Sequence, residues 1–173
     1  IEAVGRKRAM TSDTVIELEL RFENTDHFVR AVTAETGATV RLEGVVPRPD
    51  GSCIEYVAVE GAPVETVESL IGATPAVRSV RVASEHEQEG LFEVLVAAPT
   101  IAATLAEQGA TIRDLRADGD LTVVADFPKT ADVRSVMDGL QAVFPRAELL
   151  ARRERERPLR TRTEFRETLD ERL

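Results

Sequence analysis

The strongest constraint on the fold is an internal repeat. The order strand, helix, strand, turn, strand, helix, strand runs from Thr14 to about Val82 and again from Gly90 to about Arg152. The two copies align best at positions 37–41 (GATVR) and 109–113 (GATIR), where a helical pattern ends on a glycine and a β-branched strand begins. Self-similarity at a fixed period indicates a repeated structural unit. The chain is therefore predicted to contain two copies of one βαββαβ unit.

Each repeat has roughly 65 residues, close to the lower limit for an independent hydrophobic core, so the two should pack together. Turns such as 49–51 (PDG) and 117–119 (ADG) are too short for a crossover helix, which makes the sheets antiparallel. The prediction is an α+β fold of two tandem ferredoxin-like βαββαβ units, with helices on one face of each sheet. We expect an upstream helix end at 1–11, repeats at 12–84 and 85–157 with a solvated linker at 85–90, and a helical connector at 158–173.

Two patterns are clear enough to place the core. Ile16, Leu18, Leu20 and Phe22 alternate with charged residues, as in a half-buried strand. Between 133 and 144, apolar side chains recur every three or four residues, as on one face of an amphipathic helix: Val133, Val136, Met137, Leu140, Val143 and Phe144. Leu140 lies at the centre of this stripe, so we expect it to be fully buried.

Charge is distributed unevenly along the chain. Residues 11–150 carry 24 acidic and 11 basic side chains, a net charge of −13, and all but two of the 22 basic residues are arginine. An acidic, lysine-poor surface keeps a protein hydrated in molar salt, which predicts a halophilic, cytoplasmic protein. The alternative is a merely acidic protein from a GC-rich genome. In either case the central body should repel the phosphates of DNA, and the sequence predicts no membrane span because it has no run of about 18 apolar residues.

Residue types that carry chemistry are sparse. His27 and His86 are isolated, which predicts surface histidines and not metal ligands. Cys53 is the one cysteine in the sequence and is expected to be a buried structural thiol. Neither a glycine-rich phosphate loop nor a GxSxG motif occurs. We therefore expect no catalytic residue, no metal and no cofactor, which argues against an enzyme.

Both ends of the chain carry apolar strips. Ile1 and Val4 belong to a predicted helix at one end, and Phe165, Leu169 and Leu173 are spaced four apart in another. Neither strip has an evident core to cover it, so we expect a homodimer that forms through these helical ends, through the sheets, or through both, with these five residues as the first candidates. The alternative is that both strips fold back onto their own repeats.

Three separated segments resemble one known domain. They are Asp13–Phe22 (DTVIELELRF), Leu42–Pro47 (LEGVVP) and Glu148–Glu154 (ELLARRE). In this order they resemble the domain found between GAF and helix-turn-helix modules in haloarchaeal regulators of the bacterio-opsin activator (Bat) type. Positions 1–10 are similar to the last helix of a GAF domain, and 162–173 to the lead-in to a helix-turn-helix. The resemblance implies a transcriptional regulator that binds DNA only through a C-terminal helix-turn-helix absent from this sequence.

Paired βαββαβ units also resemble small-molecule-binding regulatory domains, in which a ligand lies between the repeats near the first strand–helix loop. In the first repeat this loop offers Asn24, Thr25 and Asp26 together with a helix N-terminus. The equivalent segment of the second repeat, 97–100 (AAPT), has almost no polar group. A ligand is therefore expected once, at the first repeat. The alternative is that these residues only cap the helix.

Two functions are compatible with these features. The leading one is a non-catalytic regulatory and dimerisation module that couples upstream sensing to a C-terminal helix-turn-helix. The alternative is a stand-alone small-molecule-binding sensor domain. The helical patterns at both ends favour the first function, because a stand-alone domain is not expected to begin and end within a helix.

Overall fold

Eight strands and four helices make up the part of the chain that the structure, a computed structural model, describes: residues 12–23 and 26–158. The strands are β1 (Ser12–Phe22), β2 (Thr39–Pro47), β3 (Cys53–Glu60), β4 (Val77–His86), β5 (Glu89–Val96), β6 (Thr111–Asp118), β7 (Asp120–Pro128) and β8 (Ala147–Pro158). The helices are α1 (Phe28–Thr36), α2 (Val64–Gly72), α3 (Ile101–Glu107) and α4 (Val133–Val143). Gly37 ends α1 with a φ of 69°, in the left-handed region that glycine adopts without a steric penalty.

The strands form two antiparallel four-stranded sheets. Sheet A has the order β6-β7-β1-β8 and sheet B the order β2-β3-β5-β4. The predicted α+β fold is confirmed, since the two sheets and four helices are consistent with two ferredoxin-like units. The alternation predicted for β1 is also present: Ile16, Leu18, Leu20 and Phe22 are buried in the core.

The two sheets do not coincide with the two sequence repeats. β1, from the first repeat, lies between β7 and β8 of the second. β5, from the second repeat, lies between β3 and β4 of the first. The two units have therefore exchanged their first strands, and each exchanged strand occupies an interior position. Positions 12–84 and 85–157 describe the repeat in the sequence, whereas each folded sheet takes strands from both ranges.

The segment expected to link the repeats is a tight hairpin within sheet B. β4 and β5 pair up to His86 opposite Glu89, so the turn consists of Glu87 and Gln88. Glu87 has a φ of 54°, the left-handed conformation that two-residue hairpin turns require. Residues 85–89 are exposed and Gly90 is buried, and the segment joins neighbouring strands of one sheet. A run of charged residues is compatible with an exposed turn as well as with a linker, so composition did not distinguish them.

One large hydrophobic core joins the two sheets. α2 packs on β4 and β5, and α4 packs on β8, whereas α1 and α3 each contact both β2 of sheet B and β6 of sheet A. Buried side chains from both repeats belong to one continuous cluster. The exchanged strands and the bridging helices thus make the two units one packed body. No helix in residues 12–23 and 26–158 is long and apolar enough to cross a membrane.

The first and last strands are neighbours. β1 and β8 run antiparallel from Ser12 opposite Pro158 to Phe22 opposite Ala147, with one irregularity after Glu19. Antiparallel partners lie about 4.5–5.5 Å apart between their Cα atoms. The chain therefore enters and leaves sheet A side by side.

The face of sheet A opposite the helices is charged. The Asp126 side chain is 1% exposed, and its Oδ2 accepts hydrogen bonds from Arg113 at 3.1 Å and Arg155 at 2.7 Å. Glu17, on the neighbouring strand, pairs with Arg153 at 3.2 Å and with Arg155 at 3.6 Å. These carboxylates are compensated by arginines of the same sheet, which gives them a structural role.

The α4 stripe gives the first testable prediction. Leu140 is 0% exposed, which confirms its predicted burial. Leu140→Ala should lower the free energy of unfolding by about 2–5 kcal/mol, because it removes buried methyl groups and leaves a cavity. Chemical denaturation in molar KCl measures this loss. Asp138→Ala, at an exposed position of the same helix, is the control and should change stability by less than about 0.5 kcal/mol. Equal effects of the two substitutions would contradict this packing.

Candidate functional site

A cavity of about 600 Å³ lies where the two repeats meet. Both strand–helix loops, after β1 and after β5, contribute to it, and so do both helix–strand turns, before β4 and before β8. Most of its walls are apolar: Phe22, Phe28, Ala76, Val77, Val96, Pro99, Ile101, Val143, Phe144, Pro145 and Ala147. A cavity of this size and character suits a small organic molecule.

Glu55 places a carboxylate in this apolar cavity. On β3 the side chains of Cys53, Glu55, Val57 and Val59 alternate toward the core, and Glu55 is 1% exposed. Its Oε1 has no hydrogen-bond partner among the residues that the structure describes. Burying a carboxylate without hydrogen bonds is unfavourable for folding. The presence of Glu55 therefore needs a reason other than stability.

His27 lies beside this carboxylate. Its side chain is 9% exposed, and its Nε2 is 3.4 Å from Oε1 of Glu55. The residue also caps α1, because its Nδ1 accepts a hydrogen bond from the backbone N–H of Val29 at 3.1 Å. A nitrogen that accepts carries no proton, so in the neutral ring the proton is on Nε2, next to Glu55. The corresponding cap of α3 is Thr100, so the imidazole is particular to the first repeat.

The second repeat shows what the fold itself requires at the position of Glu55. In sheet B, Glu55 lies opposite Val94, two residues before the end of the exchanged strand β5. In sheet A the corresponding place, opposite Leu20 and two residues before the end of β1, is occupied by Val123. Val123 is 0% exposed. The same architecture is therefore built with a buried valine where the first repeat has a glutamate.

The residues predicted to bind a ligand lie partly beside this cavity. Asp26 is exposed and lines it, as does Glu23. Asn24 and Thr25 lie outside the described residues, so the predicted site stays a prediction. Thr100, from the equivalent loop of the second repeat, lines the same cavity. The two strand–helix loops therefore share one cavity.

The residues predicted to join two copies are Ile1, Val4, Phe165, Leu169 and Leu173. All five lie outside the ranges 12–23 and 26–158 that the structure describes. Their role in a dimer stays a prediction.

The expectation that His27 is a surface residue is wrong, because its side chain is only 9% exposed, lies beside Glu55 and is stacked on Phe28 with the ring centroids 4.4 Å apart. Sequence reasoning also missed Glu55, since one acidic residue within a strand resembles a solvent-facing position. The sequence feature that could have identified it is the position of Glu55 in the alternation of β3. Glu55 shares the alternation of Val57 and Val59, which marks the buried face of β3.

Cys53 is buried, as expected for a structural thiol. Desolvation, and then the negative charge of Glu55, raise the pKa of the Cys53 thiol to about 12. The thiol therefore stays protonated at neutral pH and is a poor nucleophile.

The chemistry available in the cavity is that of binding. Across the described ranges, no group of three or more His, Cys, Asp or Glu side chains is arranged to hold a metal ion. A buried carboxylate beside an imidazole, within apolar walls, can accept hydrogen bonds from a ligand or pair with a cation.

Comparison with known proteins places this architecture in a family. Residues 13–167 match the family described as "BAT: GAF and HTH_10 associated domain". A protein of Haloferax volcanii described as "Putative transcriptional regulator" is 26% identical over 175 residues, a match that covers 100% of this chain and 30% of that protein. The chain thus spans about a third of the length of this relative, and no solved structure gives a significant match. Both similarities support a regulatory role, and the family match extends over most of the sequence: this chain belongs to the BAT family of GAF and HTH_10 associated domains.

Proposed function

We propose that this domain is a non-catalytic regulatory module that couples upstream sensing to a C-terminal helix-turn-helix in a haloarchaeal transcriptional regulator. Its family and its Haloferax relative support the regulatory role. Contact with DNA belongs to the helix-turn-helix, because residues 11–150 carry a net charge of −13 and repel phosphate. Localisation in the cytoplasm accords with such a role.

The pairing of β1 with β8 is the observation that carries this proposal. At one end of the pair, Ser12 lies opposite Pro158, so the segments before β1 and after β8 attach at neighbouring points. At the other end, Phe22 lies opposite Ala147, and both residues line the cavity. The β1–β8 pair thus connects the cavity wall to the points where the segments before β1 and after β8 are attached. A change in packing at the cavity has a direct route to the flanking segments.

The alternative, a stand-alone sensor domain, is favoured by the cavity considered alone. It differs from the coupling module in one respect that can be measured. A stand-alone sensor is indifferent to how the chain continues after β8, whereas a coupling module depends on it.

The test uses the complete gene in its native host. Deleting the gene should change a defined set of transcripts, and the wild-type gene should restore them. Insertion of Gly-Ser-Gly directly after Pro158 should abolish this restoration, because it uncouples β8 from whatever follows. The control is the same insertion between Glu87 and Gln88, in an exposed turn, which should still restore the transcripts. Restoration by both variants would refute coupling, and a deletion that changes no transcript would refute regulation.

We also propose that the domain acts as a homodimer through the apolar strips at its ends. A symmetric dimer suits regulators that bind two related half-sites on DNA. Light scattering of the 173-residue chain at micromolar concentration in molar KCl should give twice the monomer mass of 19.0 kDa. Leu169→Glu should convert it to a monomer, while the neighbouring Asp170→Ala should not. A monomeric wild-type chain would contradict the dimer.

A further inference from the structure

We propose that the cavity between the repeats binds a small organic amine, an apolar molecule whose protonated nitrogen pairs with Glu55. This inference names a ligand class for the candidate site, and its regulatory meaning rests on the proposed function. Binding itself is measured on the isolated chain and is independent of that function.

The first reason is the unpartnered acceptor. Oε1 of Glu55 is buried, belongs to a residue that lines the cavity, and has no hydrogen-bond partner among the described residues. Nε2 of His27, at 3.4 Å, is too distant for a good hydrogen bond. A ligand nitrogen carrying two or three N–H groups would satisfy this oxygen. A charge-assisted bond of this kind is about twice as strong as a neutral one.

The second reason is the comparison between the repeats. Val123, at the corresponding place in sheet A, is fully buried and apolar. Glu55 is therefore not needed to build the unit. Residues that break a local packing rule without a structural benefit are concentrated at functional sites. The carboxylate and the capping His27 both occur in the first repeat, which is also where the sequence predicts the ligand.

The third reason is the charge at the cavity. Glu23 and Asp26 line it in addition to Glu55, and the basic side chains facing these three acids are Arg146 in the lining and Arg21, which pairs with Glu23 at 3.5 Å. Negative charge therefore exceeds positive charge around the opening. An anionic ligand such as a phosphate ester would be repelled, and a cation would be attracted.

The shape and walls define the apolar part of the ligand. Phe22 and Phe144 meet edge to face in the wall, with ring centroids 5.6 Å apart. About 600 Å³ is enough room for a molecule of one or two rings. An aromatic or alicyclic body would contact these rings and Ile101, while its amine reaches Glu55.

Matched probes test this assignment. We would titrate the 173-residue chain in molar KCl with tryptamine and phenethylamine, and separately with indole-3-acetate and phenylacetate, following the heat of binding. At least one amine should bind with a Kd below about 1 mM, and its carboxylate counterpart should bind at least tenfold more weakly. Failure of both amines to bind, or equal binding by an amine and its carboxylate counterpart, would overturn the proposal.

Variants then assign the binding to the carboxylate. Glu55→Gln should weaken amine binding at least tenfold, because it keeps the side-chain shape and removes the charge. Glu93→Gln is the matched control. Glu93 is on the neighbouring strand β5, outside the cavity lining, where Tyr56 and Arg81 donate hydrogen bonds to it. An unchanged Kd in Glu55→Gln, or an equal loss in Glu93→Gln, would refute the role of Glu55.

Melting temperatures show whether a loss of binding in the Glu55 variants comes from unfolding. Glu55→Gln and Glu55→Val should melt at or above the wild-type temperature, because each removes a buried charge, and valine is what sheet A holds at that place. This measurement distinguishes a ligand-binding role of Glu55 from a structural role, because both variants would be less stable than the wild type if Glu55 stabilised the fold. Failure of the wild-type chain to bind either amine, together with a normal transcript response of the wild-type gene, would refute the ligand class and leave the coupling proposal standing.

Discussion

Neither half of this chain should fold without the other. Residues 1–87 lack β5, the strand between β3 and β4, and residues 88–173 lack β1, the strand between β7 and β8. Each half would therefore lose an interior strand and expose a large part of its core. In molar KCl, calorimetry of either half should show no cooperative thermal transition. An equimolar mixture should recover one, because the missing strands are supplied in trans.

The competing outcome is that each half uses its own first strand to form a complete unit. Two mismatches oppose this in the first half. Ile16 of β1 corresponds to Gly90 of β5, where even a Cβ atom would lie 3.2 Å from the side chain of Val64 on α2. Leu18 corresponds to Phe92, so the substitute strand would also leave a void in the core. A cooperative transition in either half alone would show that the repeats can fold independently.

A matched control separates loss of the partner strand from the effect of a broken chain. A protease site inserted between Glu87 and Gln88 lies in an exposed turn. Cleavage after folding should leave one species on size-exclusion chromatography in molar KCl, with an unchanged melting temperature. If both halves of the mixture carry the residues that the cut site leaves behind, the cleaved protein and the mixture have the same termini, so the two should become indistinguishable at equilibrium.

We also expect the domain to lose its cooperative fold in dilute buffer. Residues 11–150 carry a net charge of −13. At about 0.01 M salt the Debye length is about 30 Å, so repulsion acts across much of the molecule, whereas at 1 M it is about 3 Å. Surface ion pairs do not offset this repulsion, since each contributes about 0–1 kcal/mol. Calorimetry between dilute buffer and molar KCl measures the effect.

Charge variants can assign the salt requirement to acidic repulsion. Glu85, Glu87 and Glu89 are exposed together around the hairpin of sheet B. Replacing all three with glutamine should lower the KCl concentration at which half the protein is folded. A melting temperature that is the same in dilute buffer and in molar KCl would contradict the halophilic interpretation, as would a salt requirement unaffected by the triple substitution.

The sequence predicts most of the local structure because apolar residues recur at a regular spacing in strands and helices. Alternation in β1, the stripe through Leu140 and the glycine that ends α1 each follow from the spacing of apolar residues or from one backbone conformation. These signals say which face of an element is buried. The same patterns do not show which neighbouring element covers that face. The structure therefore differs from the expectation in the sheet to which β1 and β5 belong.

The exchange of β1 and β5 was beyond pattern analysis for that reason. Both strands begin a βαββαβ repeat and both alternate, so the pattern is compatible with either partner sheet. The choice depends on packing details such as the space opposite Gly90. The same limit applies to the candidate site. The loop at Asp26 is predicted by polar residues that are contiguous in the sequence. Glu55 is distant in sequence and reaches the cavity only through the assembled sheet.

The antiparallel pairing of β1 with β8 has a mechanical consequence. Because Ser12 and Pro158 are partners at the same end of the pair, tension that separates the two flanking segments loads the inter-strand hydrogen bonds one after another, as in a zipper. A sheet pulled along its strands in opposite directions would instead share the load over all bonds at once. The β1–β8 pair therefore opens under small forces from the end at Ser12 and Pro158 inward, while the other strand pairs of the two sheets are not loaded directly. The rest of the domain is stiff by comparison with this strand pair. The last inter-strand hydrogen bonds to open are those near Phe22 and Ala147, at the cavity wall.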